Sequence, residues 1–169
     1  SYGVVWEAVK VDTRETYAIK VLEKDDILRR GNIDQVLEEK RILQTVTHPF
    51  IVSLHFAFQS QSKIYFVMDF VPSGDLFSVM QNVPGNRISE DELQFLLTEI
   101  IMALEHMHLL GITYRDLKVE NILLDPDVQL QKSINGAAFE LVSTHSYNVG
   151  AIYTLFSATL DDTSSSVKV

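Results

Sequence analysis

The 169-residue chain has no cysteine, so it can form neither disulfide bonds nor thiolate metal sites, a composition typical of a reducing compartment. It also lacks an apolar run of the ~18 residues that a membrane helix needs, and its first residues show no signal-peptide pattern. Cationic side chains are few, because 14 Lys and Arg stand against 23 Asp and Glu, for a net charge of -9. We therefore expect a cytoplasmic (intracellular) protein without a membrane span, and basic partners or substrates rather than nucleic acid.

The composition, 46% hydrophobic and 22% charged, is that of a soluble domain, and the length suits one domain or part of a larger one. Hydrophobic periodicity and turn signals predict strands followed by helices, which indicates an α+β fold. Ser89 and Glu92 form a capping-box pattern before a long helix that ends at Gly111. The predicted strands are Trp6–Val11, Thr16–Leu22, Val52–Phe58 and Ile64–Phe70, and the predicted shorter helices are Asn32–Val46 and Asp75–Gln81.

A short polar stretch between apolar runs combines the carboxylate of Asp116, the amine of Lys118 and the amide of Asn121. Phosphoryl transfer from ATP uses these three groups together. A carboxylate orients and deprotonates the substrate hydroxyl, an amine screens the γ-phosphate, and an amide oxygen holds a magnesium ion. The same residues could also form an ordinary acidic-basic surface turn, so the choice depends on the rest of the sequence.

Residues 114–118, Tyr-Arg-Asp-Leu-Lys, followed by Asn121, resemble the catalytic loop of protein kinases, with tyrosine in place of histidine. The resemblance implies that Asp116 is the catalytic base, that Lys118 faces the phosphates and that Asn121 is a metal ligand. ATP and Mg²⁺ are the cofactors that it implies.

The tripeptide Ala-Ile-Lys at 18–20 resembles the kinase strand whose lysine grips the α- and β-phosphates. Gly3, 17 residues upstream of Lys20, resembles the last glycine of the glycine-rich nucleotide loop. In kinases this lysine pairs with a glutamate on the αC helix. The resemblance of the predicted helix to αC favours Glu39 as that glutamate, and its neighbour Glu38 is the competing candidate.

Residues 68–75, Met-Asp-Phe-Val-Pro-Ser-Gly-Asp, resemble the kinase hinge, where extended backbone hydrogen-bonds the edge of a purine. The resemblance implies that Met68 is the gatekeeper, that Asp69 and Val71 are the backbone partners and that Asp75 binds the ribose. Three apolar residues match those that sandwich the adenine ring in the family, although each alone would be assigned to the core: Val5, Ala18 and Leu123.

Together these motifs resemble the AGC group of serine/threonine kinases, which prefers arginine upstream of the target hydroxyl. Asp75 and Glu120 stand where family members use acids to recognise that arginine. A guanidinium and a carboxylate can form two parallel hydrogen bonds. The implied partners are therefore proteins with basic residues near the target serine or threonine.

The resemblance covers residues 1–127 and implies a two-lobe kinase-like fold, truncated at both ends. We expect an N-lobe with an antiparallel sheet and the αC helix in residues 1–70, a hinge at 69–75 and the first part of a helical C-lobe in 76–127. Residues 128–169 are poor in charge and rich in serine and threonine. They are expected to form a divergent, partly disordered tail.

Thirteen residues after Asn121, where kinases carry the metal-binding aspartate of the Asp-Phe-Gly motif, this chain has Ile134, followed by Asn135 and Gly136. Isoleucine cannot hold magnesium, and losing one electrostatic partner costs about 10²- to 10³-fold in rate. We therefore expect a kinase chain that is severely impaired. The alternative is a non-catalytic, pseudokinase-like module that binds nucleotide or a partner. Without the rest of a C-lobe, the long helix would expose an apolar face that a partner could cover.

Overall fold

A computed structural model describes residues 3–82, 88–125 and, as backbone alone, 149–152. Its larger sheet has four antiparallel strands in the order β1-β2-β4-β3. The strands are β1 Val4–Val9, β2 Thr16–Glu23, β3 Leu54–Gln59 and β4 Lys63–Asp69. Both predicted strand pairs are confirmed, and the sheet with its helices confirms the α+β fold class.

Two helices lie between β2 and β3, namely α1 Lys24–Arg30 and α2 Ile33–Thr45. The sequence pattern does not predict α1, because seven residues give too little periodicity to recognise. Acidic residues in its first turn and basic residues in its last turn complement the helix dipole. The predicted helix over 32–46 is confirmed by α2, which buries Val36, Ile42 and Leu43 in the core shared with the sheet.

The helical part contains α3 Leu76–Asn82 and α4 Glu90–Leu109. The predicted capping box at the start of α4 is present. The Ser89 hydroxyl accepts a hydrogen bond from the Glu92 backbone N–H at 3.3 Å, and a Glu92 carboxylate oxygen accepts one from the Ser89 N–H at 3.0 Å. These two bonds satisfy donors that would otherwise be left unpaired at the helix start.

One side of α4 is apolar yet exposed. Leu93, Leu97 and Ile101 are 42%, 46% and 62% exposed, and their four-residue spacing places them on one helix face. The partner that would cover this face stays a prediction. None of the helices in the described part combines the length and the apolar character that crossing a membrane requires.

A second, small sheet follows the polar stretch. A 3₁₀ turn at Val119–Asn121 leads into β5 Ile122–Leu124, whose antiparallel partner is β6 Val149–Ile152. The expected disorder elsewhere in the tail, and Ile134 with it, lies outside the described residues.

Candidate active site

A buried ion pair joins the sheet to α2. Lys20 on β2 and Glu39 on α2 are only 3% and 7% exposed, and Lys20 Nζ lies 2.6 Å from Glu39 Oε1. Burial raises the pKa of the Glu39 carboxyl, and the charge of Lys20 opposes that effect. The ion pair is therefore formed by Glu39 and not by Glu38.

A second polar cluster surrounds Asp116. Lys118 Nζ lies 3.0 Å and 2.9 Å from the two Asp116 carboxylate oxygens. Asn121 Nδ2 donates to the Asp116 carbonyl oxygen at 2.8 Å and to Oδ2 at 3.0 Å. The hydrogen bond from Lys118, supported by that from Asn121, lowers the pKa of Asp116. The carboxylate is thus held ionised and in a fixed orientation.

The two polar clusters meet at one cavity of about 480 Å³. Lys20 and Glu39 line it from the sheet and α2, and Asp116 lines it from the loop before β5. Gly3 lines it at the start of β1. Asp116 thus shares a cavity with the Lys20–Glu39 pair, whereas Asn121 is not in the lining and is connected to the cavity only through its hydrogen bonds to Asp116.

None of the residues expected to sandwich adenine is in the lining of this cavity, but Val5 and Ala18 are neighbours of Lys20 in the sheet. Ala18 is two residues from Lys20 on β2, so both point to the same face of the sheet. Val5 lies opposite Lys20 on β1, and Met68 lies opposite Ala18 on β4. These residues thus form a continuous surface that leads away from the ion pair towards the end of β4.

The segment that follows β4 is held from both sides. The Asp69 carboxylate accepts a hydrogen bond from the Ser53 N–H at 2.7 Å and lies 2.5 Å from His55 Nε2. The Leu124 N–H donates to the Gly74 carbonyl at 3.0 Å, which ties the end of the segment to β5. Sequence reasoning missed Ser53 and His55, because no motif marks a backbone N–H and an imidazole that meet Asp69 across a bulged strand pair.

The remaining predicted site residues do not line the cavity. Val71 is buried, and within the described residues its backbone forms no hydrogen bond. The Asp75 carboxylate accepts hydrogen bonds from the N–H and the hydroxyl of Ser78, both at 2.8 Å, and so caps α3. An isolated β-bridge joins Asp75 to Leu123, whereas Glu120 is exposed on the 3₁₀ turn.

Gly3 approaches β2 too closely for any side chain. Its φ is 143°, and a Cβ at this position would lie 2.6 Å from the Val21 carbonyl oxygen. Gly3→Ala should therefore lower the free energy of unfolding by about 1–3 kcal/mol, measured by urea denaturation. Gly31→Ala is the control, since φ there is also positive, at 69°, but no atom lies within 4 Å of the added methyl group. Equal losses in the two variants would show that the close approach to β2 has no energetic consequence.

Comparison with known proteins identifies the family. The family model for the protein kinase domain matches residues 1–159, so the chain belongs to the protein kinase family. A probable serine/threonine-protein kinase of Dictyostelium discoideum is 42% identical over 156 residues, which cover 86% of this chain and 34% of the relative. A RAC family serine/threonine-protein kinase homolog of the same organism is 44% identical over 124 residues, covering 73% of this chain and 28% of the relative.

Other relatives agree with the expected kinase group. A putative ribosomal protein S6 kinase alpha-1 of Caenorhabditis elegans is 42% identical over 147 residues, covering 85% of this chain and 18% of the relative. The S6 and RAC-family kinases support the resemblance to the AGC group. This chain spans about a third or less of the length of these relatives. The match of the family model extends beyond residue 127, and a domain boundary there stays a prediction.

Proposed function

We propose that this chain is the nucleotide-binding part of a serine/threonine protein kinase that transfers the γ-phosphate of ATP to protein hydroxyls. The observation that supports this best is the cavity shared by Lys20, Glu39 and Asp116. Phosphoryl transfer depends almost entirely on positioning and electrostatic stabilisation, so a cleft that is lined by charged groups from two ion pairs is the arrangement that it needs.

Each polar group then has a defined task. Glu39 holds the Lys20 ammonium in place for the α- and β-phosphates. Asp116, ionised and oriented by its neighbours, accepts the proton of the substrate hydroxyl, and Lys118 screens the γ-phosphate. The Asn121 amide donates through its nitrogen to Asp116 and would present its oxygen to a metal ion. Bound Mg²⁺ would supply charge neutralisation at the phosphates.

The apolar surface beside the cavity would hold the adenine. Gly3 would let the backbone approach the phosphates, since it has no side chain. Met68 would be the gatekeeper and Asp75 the ribose partner, and the hinge backbone would bond the purine edge. The proposed adenine contacts are Val5, Ala18, Asp69, Val71 and Leu123.

We further propose that the target sequences are basic. Asp75 and the exposed Glu120 are carboxylates on the hinge side and the catalytic-loop side of the cleft, and the whole chain has a net charge of -9. A target peptide with arginine upstream of its serine could pair with both acids. Glu120→Gln should then weaken binding of such a peptide and leave an alanine-substituted peptide unaffected.

The 169-residue polypeptide should nevertheless be a poor catalyst. No aspartate stands 13 residues after Asn121, where kinases carry their second metal ligand. Turnover with Mg²⁺-ATP and an arginine-containing serine peptide should therefore fall about 10²- to 10³-fold below that of a complete site.

A phosphate-transfer assay with Asp116→Asn as the blank tests this proposal. Turnover in the usual kinase range of about 1–100 s⁻¹ would refute the impairment, and failure to bind nucleotide would refute the kinase assignment itself. The incomplete metal ligation also favours a second candidate, a module that binds nucleotide or a partner without turnover. Nucleotide binding with no transfer above the Asp116→Asn blank would support that alternative.

A further inference from the structure

A β-bulge in β3 sets His55 apart from the regular strand pairing. Leu54 on β3 lies opposite Met68 on β4, and the next paired residue, Phe56, lies opposite Val67. His55 is therefore the extra residue of the bulge. A bulge breaks the alternation of side chains along a strand and re-aims one of them, and bulges are frequent next to active sites. Leu54 packs against the core, whereas His55 and Phe56 are both exposed.

The bulge brings the imidazole of His55 to the last residue of β4. That residue is Asp69, and His55 Nε2 lies 2.5 Å from Asp69 Oδ1. An ionised carboxylate can only accept hydrogen bonds, so the imidazole donates through Nε2. The Ser53 N–H donates to the other carboxylate oxygen at 2.7 Å, and the Ser53 carbonyl accepts from the Asp69 N–H at 3.2 Å. Three hydrogen bonds therefore fasten the end of β4 to residues 53–55.

Two aromatic rings hold the imidazole in this position. The Tyr17 ring meets His55 edge-on, with the ring centroids 5.1 Å apart, and the Phe56 centroid lies 6.3 Å away. The Tyr17 hydroxyl donates to the Glu15 carboxylate at 2.9 Å, which fixes the tyrosine in turn. This packing restricts the imidazole to the orientation in which it meets Asp69.

The imidazole lies on the side of the sheet that is turned away from the cavity. Tyr17 and Lys20 are three positions apart on β2, so their side chains point to opposite faces of the sheet. Lys20 lines the cavity, and His55 packs on Tyr17. Any effect of His55 on the nucleotide therefore has to pass through Asp69.

The end of β4 matters for the nucleotide because the proposed purine contacts begin there. The backbone of Asp69 and Val71 is proposed to bond the purine edge, and β4 ends at Asp69. Binding groups have to be held within about 0.5 Å of their productive position by the residues that support them. A ligand that must first order its site binds more weakly by the cost of that ordering.

We propose that His55 is a positioning residue for nucleotide binding. Its hydrogen bond to the Asp69 carboxylate keeps the end of β4 in place before the nucleotide arrives, and His55 itself does not touch the nucleotide. This inference rests on the proposed kinase function.

His55→Phe and His55→Gln separate the hydrogen bond from the packing. Phenylalanine keeps an aromatic ring against Tyr17 but cannot donate to Asp69, whereas the glutamine amide can. For each variant of the full chain, calorimetry measures the affinity for Mg²⁺-ATP and for Mg²⁺-tripolyphosphate, which lacks the purine. His55→Phe should weaken ATP binding by about three- to tenfold, the contribution of one hydrogen bond, and leave tripolyphosphate binding unchanged. His55→Gln should bind both ligands within about twofold of the unaltered chain, because it restores the donor.

Asp69→Ala tests whether His55 acts through Asp69. The acceptor is absent in that background, so adding His55→Phe should not weaken ATP binding further. His108→Phe is the control, since it makes the same replacement at an exposed histidine of α4. It should leave ATP affinity unchanged.

The possible outcomes separate this inference from the kinase proposal. The role of His55 would be overturned if His55→Phe left ATP affinity unchanged, weakened ATP and tripolyphosphate binding equally, or had its full effect in the Asp69→Ala background. An equal loss of ATP affinity in His108→Phe would also overturn it. Each of these results leaves the kinase proposal standing. Absence of ATP binding by the unaltered chain would overturn the kinase proposal, and this inference with it.

Hydrogen–deuterium exchange without nucleotide provides a test that does not depend on any ligand. Loss of the hydrogen bond in His55→Phe should speed exchange at residues 68–71 by about three- to tenfold, because the end of β4 then opens more often. Residues 96–103 of α4 should exchange as in the unaltered chain. Unchanged exchange at residues 68–71 would show that His55 does not hold the end of β4.

Discussion

Glu99→Gln should raise the free energy of unfolding at pH 7 by about 3 kcal/mol and remove a marked pH dependence of stability. Glu99 lies on the core side of α4 and is 1% exposed, and neither of its carboxylate oxygens has a hydrogen-bond partner among the described residues. Burial raises the pKa of Glu99 from 4.5 to about 8. The folded protein at pH 7 therefore keeps this group protonated, whereas the unfolded chain ionises it.

The sign of the pH dependence follows from that difference. The contribution of Glu99 to stability is fully present below pH 4.5, decreases as the pH rises towards 8 and is constant above that value. Within this window the slope approaches about 1.4 kcal/mol per pH unit. Urea unfolding between pH 5 and 8 measures it.

Glu105→Gln is the control for Glu99→Gln, since it makes the same change on an exposed position of the same helix. Glu105→Gln should leave the dependence of the free energy of unfolding on pH the same as in the unaltered chain. Identical slopes in the unaltered chain and in Glu99→Gln would mean that Glu99 is hydrated or paired in solution.

Glu39→Gln should lower the free energy of unfolding by about 3–5 kcal/mol, because it leaves the Lys20 ammonium buried without a counter-charge. The double variant Lys20→Met, Glu39→Leu should recover most of that loss, since an apolar pair of similar volume often replaces a buried ion pair at little cost. Urea unfolding of Lys20→Met, of Glu39→Leu and of the double variant gives the coupling energy of the pair, which we expect to exceed about 2 kcal/mol.

Glu38→Gln is the matched control, because it alters the neighbouring acid on the same helix without touching Lys20. One oxygen of the half-buried Glu38 carboxylate has no hydrogen-bond partner among the described residues, so Glu38→Gln should not destabilise the protein as Glu39→Gln does. If the pair is unimportant, Glu39→Gln should not lower the free energy of unfolding by more than Glu38→Gln does. That result, or a coupling energy near zero, would show that the buried pair does not hold the site together.

Much of the fold could be predicted because its elements carry local signals. The strand pairs have β-rich runs on both sides of polar turns, and α4 has a capping box at Ser89. By contrast, α1 is too short for a periodic pattern and directly follows β2. The pairing of β5 with β6 depends on a contact between distant parts of the chain, which no local pattern encodes.

The residues of the candidate site could be predicted from the sequence, but the hydrogen bonds that hold them in place could not. Lys20, Glu39, Asp116 and Asn121 stand in motifs whose chemistry requires those residue types. The sequence alone did not exclude Glu38 in place of Glu39 as the partner of Lys20, because adjacent helix positions differ only in the direction in which they point. The hydrogen bonds that Asn121 makes to Asp116 follow from the 3₁₀ turn, which has no sequence signal of its own.

Hydrogen–deuterium exchange with and without Mg²⁺-ATP tests the central claim most directly, because it locates nucleotide binding along the chain. The shared cleft predicts slower exchange in four separate segments and unchanged exchange in the first half of α4. The four segments are residues 3–5, 18–20, 68–71 and 121–124. Unchanged exchange in these segments at saturating ATP, or protection confined to only one of the two polar clusters, would contradict a single nucleotide site between the sheet and the helical part.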